Sequence, residues 1–289
     1  MNKINDGDTK NENRTEESID RSAIGERGTV YFIGAGPGDP DLITVKGRDL
    51  IARCRVCLFA GSLVPRAVVA YAPSGAVVRN TASMNLEEIV ALMIEASRAG
   101  EDVARVHSGD PSLYGAIAEQ IARLDESATP WRIIPGVGSF QAAAAALGIE
   151  LTPAGKNQTV ILTRAAGKTG GDAHENLAEL AAHATGMCLF LSASCPNEVV
   201  AALEPAYGAE SSVAIAYRVS WPDQRIVWCK LKELPQTLER EQIDRTALLI
   251  VGPMLDRTKS QSSKLYDPTY SHLFRKAKVS ARSVEGAGS

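Results

Sequence analysis

Short apolar runs alternate with segments of helical period from residue 29 to about residue 253. The runs at 29–34, 56–60, 103–107, 131–134, 159–164, 187–192, 213–218, 225–231 and 247–252 have the length of buried strands. Between many of them, apolar positions recur at helical spacing, clearly at 43–53, 86–99, 114–124, 139–147, 175–184 and 196–204. Alternation of this kind predicts an α/β fold with largely parallel strands. Asn85 stands three residues before Glu88, the spacing of a capping box, and should open the 86–99 helix.

Two places break the alternation. Residues 150–158, Glu-Leu-Thr-Pro-Ala-Gly-Lys-Asn-Gln, interrupt it with Pro and Gly and mark a domain boundary. The runs 213–218 and 225–231 are too close for a crossover helix, and Trp221-Pro222-Asp223-Gln224 reads as the turn of an antiparallel pair. The expected organisation is a leader over 1–28, an N-terminal α/β domain over 29–150 with a largely parallel sheet, a C-terminal α/β domain over 151–255 with a mixed sheet, and a polar tail over 256–289. The Ala142–Ala146 run is a small-residue helix face suited to close packing.

Composition narrows the function classes. The longest apolar runs are strand-length, well short of the ~20 residues of a membrane span. The polar leader lacks the apolar core of a signal peptide, so a cytoplasmic protein without a membrane partner is expected. A net charge of −3 leaves no basic footprint for nucleic acid, so an anionic ligand must be met by a local cluster of arginines. The five cysteines make no disulfide framework. Cys54-Arg-Val-Cys57 spells C-x-x-C, but Cys57 lies inside an apolar run and no second pair has zinc spacing, so no metal is expected.

Four loops that follow predicted strands carry the chemistry. They are Gly34-Ala-Gly-Pro-Gly-Asp-Pro40, His107-Ser-Gly-Asp-Pro-Ser-Leu-Tyr-Gly115, Pro135-Gly-Val-Gly-Ser139 and Leu191-Ser-Ala-Ser194. Ligands of open α/β sheets bind beyond the carboxyl ends of strands, where glycines admit them close to the backbone. The first loop is not a dinucleotide fingerprint, because Asp39 stands where the third glycine is due and residues 56–60 lack the acidic ribose ligand. No Gly-Lys-Ser/Thr follows the loop either, and Leu162 stands where a leading glycine would make Gly167-Lys168-Thr169 a phosphate loop. Asp39 and Asp41 at the helix entrance would repel a phosphate.

Residues 34–47 (Gly-Ala-Gly-Pro-Gly-Asp-Pro-Asp-Leu-Ile-Thr-Val-Lys-Gly), 108–115 (Ser-Gly-Asp-Pro-Ser-Leu-Tyr-Gly) and 134–140 (Ile-Pro-Gly-Val-Gly-Ser-Phe) resemble the tetrapyrrole methylase family. Ala60–Val64, Gln158–Arg164, Tyr217–Pro222 and Thr246–Pro253 are similar to the branch that methylates carbon 11 of precorrin-4 or its cobalt-containing counterpart. The resemblance spans about residues 28–276. It implies an S-adenosylmethionine-dependent C-methyltransferase of cobalamin biosynthesis, a precorrin-type tetrapyrrole substrate, a homodimer, and a cofactor cleft between two α/β domains. It also implies that Pro37 sits against the cofactor, that Ser108, Gly109, Asp110 and Leu113 line its methionine and ribose side, and that Gly138 and Ser139 meet it from the next strand end. Ser192, Val219, Thr246 and Ala247 match positions that hold the adenine. Two departures stand out: Gly138 replaces a hydroxyl residue common in the family, and Thr169–His174 replaces a Pro-rich segment.

The chemistry implied is an in-line displacement at an already activated methyl group, so binding residues should dominate the site. Asp110 reads either as a cofactor acceptor and sulfonium partner or as the cap of an Asp-Pro turn. His107 reads either as a proton relay or as a structural strand-end histidine. A polycarboxylate substrate calls for arginines near the cleft, and Arg105, Arg164 and Arg218 lie on or beside strand ends. Tyr114 and Trp221 could face the macrocycle edge, whereas Met84 and Met93 read as core. The rival readings are a family member acting on another ring carbon and a non-catalytic nucleotide-binding regulator on the same scaffold.

Overall fold

A computed structural model describes residues 27–165, 176–256, 258, 266–267, 269–271 and 273–276. Most of the expected leader and tail, the 169–174 loop with His174, the Gly167-Lys168-Thr169 run and His272 lie outside the described residues.

The first sheet contains β1 (Val30–Gly34), β2 (Val56–Phe59), β3 (Val77–Asn80), β4 (Val103–His107) and β5 (Trp131–Ile134) in the order β3-β2-β4-β1-β5. Every neighbouring pair in it is parallel, as the alternation predicts. The crossovers include α1 (Val45–Ile51), α2 (Arg66–Val69), α3 (Leu86–Arg98) and α4 (Ile117–Glu126). Helix α3 starts with the expected capping box, with Asn85 accepting from Glu88 N and Glu88 accepting from Asn85 N at 2.9 Å each. Its Ile89, Val90 and Met93 are buried against Val30, Phe32 and Leu58. Each such side chain contributes about 1.5–3 kcal/mol by leaving water. Helix α4 begins at Ile117, not at 114, because Tyr114 (φ 55) and Ala116 (φ 48) hold left-handed backbone that cannot continue a helix.

The second sheet contains β6 (Val160–Arg164), β7 (Gly186–Phe190), β8 (Ser212–Tyr217), β9 (Arg225–Lys230) and β10 (Ala247–Val251) in the order β6-β7-β10-β8-β9. Only β6 and β7 run parallel; β7–β10, β10–β8 and β8–β9 are antiparallel, so the sheet is mixed as expected. The Trp221–Gln224 turn closes with a Gln224 N to Trp221 O bond of 3.0 Å. Helices α6 (Leu177–Ala181), α7 (Pro196–Tyr207) and α8 (Leu234–Arg240) cover one face.

Helix α5 (Ser139–Leu147) follows the last strand of the first sheet yet packs on the second. Its Ala142 and Ala143 meet Ala214 and Ala216 of β8 and Leu248 and Ile250 of β10. The alanine run thus lets helix and sheet approach closely. This helix joins the two layers and leaves its N-terminus between them.

Candidate functional site

Parallel order brings the carboxyl ends of β4, β1 and β5 side by side, so the loops after them meet. Gly36 and Gly109 exchange two backbone hydrogen bonds of 3.2 and 2.8 Å. A Cβ on Gly34 would lie 2.6 Å from both Gly109 O and Gly136 Cα, so only glycine allows the three loops to touch. In the second sheet, β10 runs against β7 and β8. Its first residues therefore lie beside the last residues of those two strands.

These edges enclose a pocket of about 530 Å³. Of the residues expected in the site, Pro37, Ser108, Gly109, Asp110, Leu113, Tyr114, Gly138, Ser139, Arg218, Val219, Thr246 and Ala247 line it, and so does Trp221. Left-handed backbone gathers at the rim: Tyr114, Leu191, Arg218 and Thr246 all have φ between 45° and 57°. Strain of this kind clusters where a fold holds a binding surface in shape.

Asp110 lines the pocket, but its carboxylate serves the loops. Oδ1 accepts from Ser112 N at 2.8 Å and from the Ser112 hydroxyl, and Oδ2 accepts from Gly136 N at 2.8 Å. Partial burial pushes its pKa up, but the Ser112 side-chain bond and the backbone bonds from Gly136 and Ser112 outweigh it and hold the value below the ordinary one. Asp110 is thus an ionised clamp between the β4 and β5 loops, which is the turn-cap reading extended to a second loop.

Four expected site residues fall elsewhere. His107 is buried against Phe32, with ring centroids 5.9 Å apart, and is not part of the pocket lining. Burial and then the Arg105 charge pull its pKa down to about 3, so it is a neutral, structural histidine and not a proton relay. Arg105 is only 4% exposed and donates to Gln120 Oε1 at 3.0 Å and Thr81 Oγ1 at 2.8 Å. Its guanidinium is committed inside the first sheet's helical layer and lies outside the pocket lining, which corrects the expectation of a substrate ligand. Ser192 is fully buried; its hydroxyl accepts from Ala165 N and donates to Phe190 O, so it shapes the loop while its neighbours Leu191, Ala193 and Ser194 face the pocket. Arg164, at the end of edge strand β6, also lies outside the lining.

Gly138 caps α5 with no side-chain hydrogen bond. A Cβ there would lie 2.6 Å from Gln141 Oε1, so Gln141 occupies the room that the family's common hydroxyl residue would need. The C-x-x-C thiols are inert core, as expected: burial pushes Cys54 up to about 12 and Cys57 up to about 11.

Leu63, Phe190, Ala216, Asp244, Arg245 and Leu248 complete the lining; Leu63 and Leu248 fall within the motifs quoted above, but the sequence assigns none of the six a place in the site. Ala216 and Leu248 look like any strand residue in a linear reading. Asp244 and Arg245 pair with each other through two hydrogen bonds of 2.9 and 2.7 Å in a loop without glycine or proline.

Comparison with known proteins agrees with this architecture. The family model for tetrapyrrole (corrin/porphyrin) methylases matches residues 29–235. The precorrin-4 C(11)-methyltransferase of Pseudomonas aeruginosa is 49% identical over 247 residues, covering 86% of this chain and 98% of that protein. The cobalt-precorrin-4 C(11)-methyltransferase of Methanocaldococcus jannaschii is 45% identical over 249 residues, covering 86% of this chain and 96% of that one. Among solved structures, a cobalt precorrin-4 methyltransferase superposes with a TM-score of 0.77 at 43% identity, covering 79% of this chain and 96% of its own. A uroporphyrin-III C-methyltransferase from Thermus thermophilus, complexed with S-adenosylhomocysteine, gives 0.66 at 26% identity, covering 82% and 97%. With the parallel and mixed sheets, the glycine loops and the pocket between them, these matches show that the chain belongs to the tetrapyrrole methylase family.

Proposed function

We propose that this protein binds S-adenosylmethionine in the pocket between its two sheets and methylates carbon 11 of precorrin-4, metal-free or cobalt-containing. The identity to methyltransferases of that specificity over most of both chains supports the choice of ring carbon. The observation that carries the chemistry is the pocket itself. Glycine loops from three parallel strands and the end of the second sheet converge there, and Asp110, the carboxylate that these glycine loops bring to the pocket, accepts from the N–H groups of Ser112 and Gly136.

The residues present fit the cofactor. A volume of about 530 Å³ lies within the range of small-molecule sites. Gly109, at φ 62, presents bare backbone near Gly138 and Ser139. Pro37, Ser108, Gly109, Leu113, Gly138 and Ser139 would hold the methionine and ribose side, and Val219, Thr246 and Ala247 the adenine side. Bound there, the cofactor supplies an activated methyl group. The task left to the protein is orientation and exclusion of water, which a largely apolar, preformed pocket performs without a general base.

The substrate side is apolar with a cationic edge. Leu63, Tyr114 and Leu191 line the pocket while 38%, 45% and 61% exposed. Apolar surface left open beside a site suits the faces of a macrocycle, and Arg218 suits one of its peripheral carboxylates. Residues 29–150 and 151–255 act as the two domains of this reading. A homodimer in the cytoplasm completes it; free, largely buried cysteines suit the reducing compartment. Among the described residues no helix is long and apolar enough to cross a membrane.

Calorimetry with S-adenosylhomocysteine and with NAD tests the cofactor. Binding of the first alone is expected; binding of NAD alone would replace the methyltransferase reading with that of a nucleotide-binding regulator.

A further inference from the structure

The turn between β8 and β9 belongs to the second sheet but grips the first loop of the first sheet. Trp221 Nε1 donates to Pro37 O at 2.9 Å, and Ser220 Oγ accepts from Asp39 N at 2.9 Å. Any Cβ on Gly38 would drive into the Trp221 indole, so glycine is what admits the ring edge there. The face of the same ring carries the Arg218 guanidinium, 4.3 Å from its centroid. Asp223 holds Arg218 Nε at 2.8 Å, and among the described residues the two Nη groups have no hydrogen-bond partner. Arg218 (φ 45) and Ser220 (φ 65) keep left-handed backbone to make this turn. Pro37, Arg218 and Trp221 all line the pocket.

We infer that Trp221 is a positioning residue that joins the two binding surfaces of the site. Its edge sets the Pro37 loop for the methyl donor, and its face sets Arg218 for a carboxylate of the tetrapyrrole. The inference rests on the proposed function. A long cationic side chain loses rotamer freedom when it grips an anion; stacking on the indole and the Asp223 bond remove that freedom beforehand. The remaining pair of Nη groups matches the end-on fork of a carboxylate.

Two substitutions at one position separate the edge from the face. Trp221→Phe keeps an aromatic face and loses the N–H. The Kd for S-adenosylhomocysteine, measured by calorimetry, should rise roughly threefold to tenfold, the share of one hydrogen bond. The KM for the tetrapyrrole should stay within about twofold, since the platform remains. Trp221→Leu loses both, and both constants should rise. Gly38→Ala, which displaces the indole without altering it, should reproduce the cofactor defect.

Wild-type affinity for S-adenosylhomocysteine in Trp221→Phe would overturn the inference, as would a tetrapyrrole KM unchanged in Trp221→Leu. A wild-type protein that fails to bind S-adenosylhomocysteine would remove the proposed function and this inference with it. One that binds it and methylates a different ring carbon would remove only the choice of carbon.

Discussion

Replacing Asp110 separates a clamp from a catalyst. In the structure its carboxylate accepts from Ser112 N, the Ser112 hydroxyl and Gly136 N, and so ties the β4 loop to the β5 loop. Asp110→Ala strands the half-buried Gly136 N–H, a loss of about 1–3 kcal/mol, while water can replace the more exposed bonds to Ser112. A central value of about 2 kcal/mol predicts a fall in Tm of about 4–8 °C for a chain of this size. The loops must then be ordered by the ligand, and the Kd for S-adenosylhomocysteine should rise by roughly ten- to thirtyfold. Asp110→Asn keeps one acceptor for Gly136 and should lie between wild type and the alanine variant, with kcat at saturation within about fivefold of wild type. The folded pKa of Asp110 lies below its ordinary value. Its stabilisation is therefore complete above about pH 4 and lost only as pH falls through the folded value. Wild type and Asp110→Asn should consequently show parallel stability between about pH 5 and 9. The assay pairs thermal unfolding with calorimetry and steady-state turnover. Asp110→Asn with wild-type Tm and Kd but kcat lowered a hundredfold or more would refute the clamp and restore a direct role in the reaction.

Four further outcomes concern His107, Arg105, Arg218 and Gly136. His107, with its folded pKa near 3, stays neutral while the unfolded chain takes up a proton below about pH 6.5. Stability should therefore fall as pH drops from about 6.5 toward 3, by up to about 1.4 kcal/mol per pH unit from this group, and His107→Gln should flatten that slope in pH-dependent urea unfolding. Arg105→Ala leaves Gln120 and Thr81 without their buried donor and should lower stability by about 2–4 kcal/mol with little effect on tetrapyrrole KM. Arg218→Ala should do the reverse, raising KM with Tm nearly unchanged; turnover and calorimetric scanning of the pair distinguish them. Gly136→Ala would drive a Cβ into the Gly109 carbonyl and should abolish cofactor binding with a Tm loss larger than that of Asp110→Ala.

The parallel sheet was legible because each strand but one is an apolar run of the right length. The exception is β3, Val77-Val-Arg-Asn80, an edge strand with all four residues exposed and no burial pattern to betray it. Helix α8 escaped because it is short, with Pro235 near its start and polar residues at Gln236, Glu239 and Arg240. The loops of the site were legible because close backbone approach demands glycine, and glycine is visible in a sequence. Facing direction was not. Arg105 and His107 sit two residues apart on β4 and so share one face of the sheet, buried beneath the helices. A strand-end position alone could not tell that face from the ligand edge. Ser192 shows the same limit one residue at a time, since its neighbours Leu191 and Ala193 line the pocket while its own hydroxyl ties down the loop. Trp221 was visible as an aromatic in a turn, but its bond to Pro37 spans 184 residues and belongs to the tertiary fold alone.

The most direct test of the account is turnover of precorrin-4 with methyl-labelled S-adenosylmethionine, followed by NMR location of the label in the product. The account predicts a single labelled methyl group on carbon 11. A methyl group on any other ring carbon, or no transfer by a protein that binds both ligands, would contradict it.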